Sequence, residues 1–382
     1  MSAHTNTHVI VGLSGGVDSA VAALLLKEQG YDVEGLFMDN WEDDEEQRNC
    51  TAAEDFQDAH QVCKQLDIPL HKVNFSAEYR ERVFGYFLDE YAAGRTPNPD
   101  VRCNSEIKFK VFLKYARRLG AELIATGHYA MSDKSQAGMR LLRARDSSKD
   151  QSYFLHAISQ EALCMSLFPV GDLLKRDVRA RARAAGFTNH SKKDSTGICF
   201  IGERNFSKFL AKYLPAQPGN IETPDGEVLG IHQGLMYYTL GQRQGLGIGG
   251  RRDSSGNAWY VAAKDLPRNV LMVVQDHDHP LLRQQSLSTD GLHWISGSPP
   301  APQFNCTAKS RYRQTDQACV VTVVDAQHCQ VEFAQPQWAL TPGQYVVFYA
   351  DNECLGGAVI NQVGSCTNVN MPPSIMSARS AA

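Results

Sequence analysis

A glycine-containing loop between a short apolar strand and a helix constrains the fold of this chain more than any other feature. Residues 8–13 (HVIVGL) predict a buried strand, and residues 17–29 predict an apolar helix that ends at Gly30. The loop between them, residues 14–19, reads SGGVDS. Two glycines allow a tight turn, and a helix N-terminus presents free N–H groups to an anion. The segment therefore predicts a phosphate site, with a glycine turn capped by its own Asp or Ser as the structural alternative.

Strand and helix patterns alternate over the first half of the chain, which indicates βαβ units, a parallel sheet and an α/β fold class. Strands are predicted at residues 33–38, 70–75 and 123–126, and helices at residues 51–66, 77–93, 105–119 and 205–214. From about residue 285 the apolar runs are short and separated by turns, which favours a small β-barrel or sandwich. The expected units are a parallel-sheet domain (1–205), a small mixed central domain (206–284), a C-terminal β domain (285–367) and a disordered tail (368–382).

Length and composition limit the class of protein. A chain of 382 residues, 43% apolar and 21% charged, has room for about two or three packed domains. Its net charge of −4 argues against a general nucleic-acid binder but is compatible with a local basic patch. The ten cysteines form no Cys-x-x-Cys pair, so no metal site is predicted. Neither a signal peptide nor a run of about 18 apolar residues is found, so a cytoplasmic protein without membrane association is expected.

Cys103 lies in a segment that favours thiol chemistry. The segment, residues 96–104, reads TPNPDVRCN and precedes the helix predicted at residues 105–119. Arg102 and that helix N-terminus would lower the pKa of the thiol, and Asp100 would be near enough to move a proton. The alternative is a small apolar residue that happens to be cysteine.

Two further patterns are weaker by themselves. Cys199, in residues 194–202 (DSTGICFIG), reads as a buried strand cysteine, and only the fold can bring it to Cys103. Residues 245–250 (GLGIGG) match G-x-G-x-x-G, but no strand pattern precedes them and no helix pattern follows. A loop is therefore favoured there over a dinucleotide site.

Basic residues are concentrated in three stretches despite the acidic total. One such stretch is most simply a solvated face, whereas three together favour a surface for nucleic-acid phosphates. Arg311-Tyr312-Arg313 adds a ring that would stack on an RNA base, with a strand-edge cluster as an equal alternative. The stretches comprise Arg102, Lys108, Lys110, Lys114, Arg117 and Arg118, then Arg140, Arg143, Arg145 and Lys149, then Lys175, Arg176, Arg179, Arg181, Arg183, Lys192 and Lys193.

Motifs along nearly the whole chain resemble those of a known family. The loop at residues 14–19 is similar to the pyrophosphate loop (PP-loop) of N-type ATP pyrophosphatases, a motif specific for the superfamily but not for a substrate. The segments around Cys103 and Cys199 resemble signatures of the bacterial tRNA-specific 2-thiouridylase (MnmA) family. Further segments similar to that family are Thr126-Gly127-His128-Tyr129, residues 149–155 (KDQSYFL) and residues 241–247 (GQRQGLG).

The resemblance implies an architecture and a reaction. The architecture is an N-terminal PP-loop ATP pyrophosphatase domain, a small central domain and a C-terminal β-barrel. In the reaction, ATP with Mg²⁺ adenylates the C2 oxygen of the wobble uridine of tRNA, and sulfur from a cysteine persulfide replaces that oxygen with release of AMP and pyrophosphate. The substrates would be the tRNAs for Lys, Glu and Gln, and the sulfur donor a cysteine desulfurase or a sulfur-relay protein.

The resemblance also implies roles for individual residues. Cys103 would be the nucleophile, Cys199 the persulfide carrier and Asp100 the acid or base. Sulfur would reach C2 directly from the persulfide, or as sulfide freed when Cys103 attacks it, which would leave a Cys103–Cys199 disulfide. The ATP contacts would be Gly12, Leu13, Ser14, Gly15, Gly16, Val17, Asp18, Ser19, Met38 and Gly127. The target base would meet Asn98, Pro99 and Asp100, and the tRNA contacts would be Lys149, Asp150, Gln151, Arg311 and Tyr312.

Two other functions would account for part of the sequence. An adenylating ligase or amidotransferase that acts on a small molecule would explain the loop, but not the two cysteines, the basic stretches or the β domain. A non-catalytic RNA-binding protein with a relic nucleotide site would explain the basic stretches, but not the intact loop.

Overall fold

The computed structural model describes residues 7–42, 46–136, 138–194, 206–248 and 257–365, with the backbone alone at residues 46–51 and 365. Cys199 and the tail predicted at residues 368–382 lie outside these ranges. The described strands form three sheets of five, four and eight strands. None of the described helices combines the length and the apolar character needed to cross a bilayer.

The first half of the chain alternates strands and helices as predicted. In chain order it contains β1 (His8–Leu13), α1 (Val17–Glu28), β2 (Asp32–Asp39), α2 (Glu46–Leu66), β3 (Leu70–Asn74), α3 (Ser76–Tyr79), a π-helical stretch (Arg80–Phe84), α4 (Gly85–Ala92), α5 (Pro99–Arg102), a second π-helical stretch (Cys103–Val111), α6 (Phe112–Arg118), β4 (Leu123–Ala125), β5 (Ala130–Ser135), β6 (Gly138–Arg143), α7 (Ser152–Leu155), α8 (Gln160–Cys164), β7 (Ser166–Leu167), α9 (Lys175–Ala184) and a 3₁₀ turn (Thr188–Ser191).

The N-terminal sheet is parallel, has the order β3-β2-β1-β4-β7 and is covered by helices on both faces. The central strand shows why: Val9 and Val11 pack with α1 and α9, whereas Ile10 packs with Phe112 of α6 on the opposite face. A strand buried on both faces reads as a continuous apolar run, which is the pattern of residues 8–13. In such a sheet the loops after the strands meet at one edge, where ligands bind.

One helix starts earlier than predicted, and the difference moves Cys103. The backbone is helical from Pro99 through α5, the π-helical stretch and α6, rather than from residue 105. Asn98 caps this helix because its Oδ1 accepts the N–H of Asp100 at 3.2 Å, and Pro99 is the first helical residue, where its missing N–H costs nothing. Cys103 therefore lies in the second turn of the helix and not in front of it.

The second half of the chain is built almost entirely of strands. In chain order it contains α10 (Phe206–Leu210), β8 (Gly219–Glu222), β9 (Val228–His232), a 3₁₀ turn (Leu235–Tyr237), β10 (Trp259–Asp265), β11 (Val270–Gln275), a 3₁₀ turn (Pro280–Leu282), β12 (Arg283–Trp294), β13 (Gln303–Lys309), β14 (Gln317–Val323), β15 (Cys329–Trp338), β16 (Tyr345–Ala350) and β17 (Glu353–Ser365).

These strands make a central sheet and a closed barrel. The central sheet has the order β10-β11-β8-β9. Strands β12 to β17 close on themselves because β12 pairs with β15 on one side and β17 on the other, which leaves no free edge within the ring. Of the two alternatives the barrel is correct, and the predicted α/β fold class with its small central unit is confirmed.

The hairpin β5–β6 joins the two halves of the molecule. The sequence predicts these residues within the N-terminal domain, but β6 pairs with β17, with Leu141 opposite Cys354. Leu141 is fully buried in a core shared by Tyr153 of the first half and Tyr349 of the barrel. The N-terminal region and the barrel are thereby packed as one body.

Candidate active site

The loop after β1 has the geometry of an anion site. Gly15 has a φ of +74°, and a Cβ there would lie 2.4 Å from the backbone oxygen of Asp55, so only glycine fits. The Ser14 N–H donates to Ser19 Oγ (3.2 Å), whose hydroxyl donates to the Gly16 carbonyl (3.1 Å). Gly16 is the N-cap of α1 and forms no side-chain cap, whereas Ser14 Oγ accepts the Gly16 N–H within the turn at 3.4 Å. The start of α1 is therefore available to bind an anion.

The residues predicted to contact ATP converge on this loop. Gly127, after β4, packs so closely on the start of α1 that a Cβ would lie 2.5 Å from the Ser19 nitrogen. At the end of β2, Met38 reaches within 3.4 Å of the position that a Cβ on Gly12 would take. The ends of β1, β2 and β4 thus lie together at one edge of the sheet, around the phosphate loop. That the ligand there is ATP stays a prediction.

Asp18 is neutralised by the protein itself. Both its carboxylate oxygens accept from Lys175 Nζ at 2.7 Å, and one also accepts from the Tyr129 hydroxyl at 2.8 Å. Lys175 in turn lies 2.8 Å from Asp194, which also pairs with Lys149 at 2.7 Å. Burial opposes ionisation of Asp194, but the hydrogen bonds from Lys149 and Lys175 outweigh it and lower its pKa to about 2. The sequence did not indicate this network, because Lys175 is distant from its partners along the chain.

The described residues offer no ready-made metal site. No three His, Cys, Asp or Glu side chains in the described ranges converge as metal ligands. Asp18 is the carboxylate of the phosphate loop, and Lys175 already occupies both of its oxygens. Mg²⁺ therefore does not fit as a resident metal of these residues; as the companion of ATP it stays a prediction.

Cys103 is buried on the helix that starts at Pro99. Its side chain is 5% exposed, in a core with Tyr153 and Phe112. Two premises for a reactive thiolate are wrong: the helix N-terminus lies a full turn earlier, and Arg102 turns aside to stack on Tyr86 at 4.4 Å. The nucleophilic role of Cys103 therefore rests on the resemblance to the family. Cys199 lies outside the described residues, so its proximity to Cys103 stays a prediction.

The neighbours of Cys103 carry unusual polar groups. Asn104 is 3% exposed; its Nδ2 donates to the Phe154 carbonyl at 3.1 Å, whereas its buried Oδ1 has no hydrogen-bond partner among the described residues. Burial raises the pKa of the Asp100 carboxyl, and the nearby charge of Lys108 lowers it. A half-buried carboxyl and an unsatisfied buried amide are costly to folding, which favours a functional origin. The asparagine was overlooked in the sequence, although it directly follows the cysteine.

The residues predicted to contact tRNA are largely engaged within the fold. Lys149 pairs with Asp194, Asp150 accepts from Ser152 Oγ (2.9 Å), and Gln151 accepts the N–H of Tyr129 (2.9 Å). In the barrel, Arg311 donates to the carbonyls of Leu240 (3.3 Å) and Ala339 (3.0 Å), and Tyr312 packs on Phe154 with ring centroids 4.4 Å apart. Arg311 thus ties the central region to the barrel. Their contacts with tRNA stay predictions.

Ion pairs also occupy much of the three basic stretches. The paired side chains include Lys110 with Glu106, Arg117 with Glu161, Arg140 with Asp133, Arg143 with Asp316, Arg179 with Asp194 and Lys192 with Asp55 and Asp58. The exposed cations without a carboxylate partner in the described part of the chain include Lys114, Arg118, Arg183 and Lys193. A phosphate-binding surface would therefore depend on fewer residues than the composition indicates.

Known families match the three regions of the chain. The tRNA methyl transferase HUP domain family matches residues 7–203, the tRNA methyl transferase PRC-barrel domain family residues 207–275, and the aminomethyltransferase beta-barrel domain family residues 284–360. The matches divide the chain close to the places where the sheets change.

Curated relatives are similar over almost their whole length. The tRNA-specific 2-thiouridylase MnmA of Methylococcus capsulatus is 60% identical, over 93% of this chain and 96% of the relative. The proteins of the same name from Methylobacillus flagellatus (58% identical, 92% and 98% covered) and Vibrio parahaemolyticus (57% identical, 95% and 98% covered) are similar to the same extent.

Proposed function

Because the chain belongs to the tRNA-specific 2-thiouridylase MnmA family, we propose that it uses ATP to replace the C2 oxygen of the wobble uridine of tRNA with sulfur. The observation that carries this proposal is a juxtaposition. The segment Thr126-Gly127-His128-Tyr129 contacts the phosphate loop through Gly127 and the helix of Cys103 through His128. The phosphate loop and the thiol-bearing helix therefore meet at one edge of the parallel sheet, which supports an ATP site beside a reactive thiol.

The first half of the reaction suits this edge. Uracil O2 is a poor leaving group, so it attacks the α-phosphorus of ATP, pyrophosphate departs, and O2 becomes part of an adenylate. The Asp100 carboxylate accepts the N3 proton of uracil, which makes O2 a better nucleophile. The uncapped N–H groups at the start of α1 stabilise the charge that moves onto pyrophosphate. The nucleotide must leave its base stack to enter a site bounded by buried side chains.

The second half transfers sulfur and releases AMP. In one route the terminal sulfur of a Cys199 persulfide attacks C2 and displaces AMP, and the Cys103 thiolate then attacks Cys199 Sγ, which breaks the S–S bond and leaves the transferred sulfur on C2. In the other route Cys103 first attacks Cys199 Sγ and frees sulfide, which attacks C2 and displaces AMP. Both routes form a Cys103–Cys199 disulfide, which an external thiol must reduce before the next turnover. The persulfide would come from a cysteine desulfurase or a sulfur-relay protein, and the substrates would be the tRNAs for Lys, Glu and Gln.

Replacement of the two cysteines tests the proposal. Cys103→Ser and Cys199→Ser are each expected to abolish 2-thiouridine, measured by mass spectrometry of tRNA nucleosides, whereas Cys164→Ser, at an exposed position, is the matched control with normal product. Normal 2-thiouridine from both active-site variants would overturn the proposal.

A pyrophosphate exchange assay separates this function from a small-molecule ligase of the same superfamily. Exchange between ATP and pyrophosphate is expected to require tRNA and to survive in Cys103→Ser, because adenylation precedes sulfur transfer. Exchange that is indifferent to tRNA would favour the ligase. Two of the matched families are described as tRNA methyl transferase domains. Methyl transfer would need neither a phosphate loop nor the release of pyrophosphate, so pyrophosphate release also separates these two reactions.

A further inference from the structure

Lys108, beside the candidate site, is a half-buried cation that no carboxylate of the described residues neutralises. Its Nζ lies 3.5 Å from Nε2 of His128, and no carboxylate oxygen of the described residues lies within 4.0 Å of it. Lys110, two residues further on, is exposed and pairs with Glu106 at 2.9 Å. Partial burial of an uncompensated ammonium is unfavourable, which indicates a role beyond folding.

His128 offers this ammonium a long hydrogen bond and leaves its charge uncancelled. Lysine only donates hydrogen bonds, so Nε2 of His128 must accept, and the ring proton is then on Nδ1, which donates to Thr126 Oγ1 at 2.8 Å. Burial holds the pKa of His128 well below 6.5, and the Lys108 charge adds to the effect, so the imidazole stays neutral. The result is a chain from Thr126 through His128 to a fixed positive charge.

The helix geometry directs that charge towards the reacting groups. Residues Cys103–Val111 are π-helical, so backbone hydrogen bonds join positions five apart. Cys103 and Lys108 are five apart and therefore lie one above the other, which an α-helix would allow only for positions three or four apart. Asp100 lies one turn before Cys103, and Lys108 is the charge that acts on its carboxyl against burial. Short π-helical stretches within helices are frequent at functional sites.

We propose that Lys108 is a positioning residue whose half-buried positive charge, on the helix that carries Asp100 and Cys103, favours the ionised form of the Asp100 carboxylate. This inference rests on the proposed function, in which Asp100 accepts the N3 proton of uracil. Without Lys108 the carboxyl would be protonated over a wider range of pH, and the adenylation step would slow on the acid side. Lys108 itself needs no contact with tRNA or ATP.

The test is the pH profile of tRNA-dependent pyrophosphate release by the full-length protein. In Lys108→Gln we expect the acid limb of kcat to move to higher pH, with a rate on the acid side roughly tenfold below that of the unsubstituted protein and a recovery at alkaline pH. Lys108→Arg keeps the charge and is expected to restore the limb, and Lys110→Gln, on the same helix, is the matched control with an unmoved limb. If Lys108→Gln does not fold by circular dichroism, Lys108→Met carries the same expectation.

An unmoved acid limb in a folded neutral variant would overturn the inference. So would a higher KM for ATP with an unchanged limb, since that would place the ammonium on the phosphates. The proposed function would fail in a different way, because the unsubstituted protein would then release no pyrophosphate with tRNA and make no 2-thiouridine.

Discussion

Two helices of the candidate site each carry an aspartate as their second residue, and their surroundings differ. Asp18 in α1 accepts two hydrogen bonds from Lys175 and one from Tyr129. Asp100 in α5 has no cation within ion-pair distance among the described residues, and burial raises the pKa of its carboxyl. A carboxylate that the fold neutralises contributes to stability, whereas one left buried and poorly compensated reduces it and is retained where chemistry needs it.

Thiolation activity should separate the two aspartates most strongly. Asp100→Asn removes the proton acceptor and is expected to lower the single-turnover rate of thiolation about 100-fold or more, with no loss in the free energy of unfolding. Nucleoside mass spectrometry measures the first quantity and urea unfolding the second. A fully active variant, or one clearly less stable than the parent protein, would mean that Asp100 is structural like Asp18.

A smaller effect tests the structural role of the Asp18 network. Lys175→Met is expected to lower the free energy of unfolding by about 1–3 kcal/mol, because Asp18 and Asp194 lose a partner whose side chain is only 12% exposed. Arg176→Met, at the next position and 80% exposed, is the matched control with a change below about 0.5 kcal/mol. Equal stabilities for the two variants in urea unfolding would remove the contrast.

The smallest effect is a pair of opposite pH dependences. The pKa of Asp100 is raised above 3.8, so its contribution to stability is present below 3.8 and is lost as pH rises through the raised value. The pKa of Asp194 is lowered to about 2, so its contribution is present above 3.8 and is lost as pH falls towards 2. The free energy of unfolding of Asp100→Asn, relative to that of the parent, should therefore increase as pH rises. Asp194→Asn should be less stable than the parent at neutral pH, and this difference should shrink as pH falls towards 2. Urea unfolding between about pH 2 and pH 8 measures both, and slopes of the same sign would contradict the assignment.

Features that depend only on neighbouring residues can be predicted from the sequence of this protein. The phosphate loop is one, because strand, glycine turn and helix start are set by the backbone preferences of neighbouring residues, as the left-handed φ of Gly15 shows. The start of the Cys103 helix was also readable in principle. Pro99 directly follows the capping Asn98, and proline at the first helical position is a helix-start signal.

Patterns of neighbouring residues are sufficient to predict the alternation that makes a parallel sheet and the phosphate loop, and motif resemblance adds the pairing of Cys103 with Cys199 as an expectation. The three-dimensional fold adds that β5–β6 belongs to the barrel's sheet, that Lys175 reaches Asp18 and that Lys108 lies against His128. These contacts are not evident in the sequence because backbone conformation follows from adjacent residues, whereas strand pairing and ion pairing depend on which distant segments packing brings together.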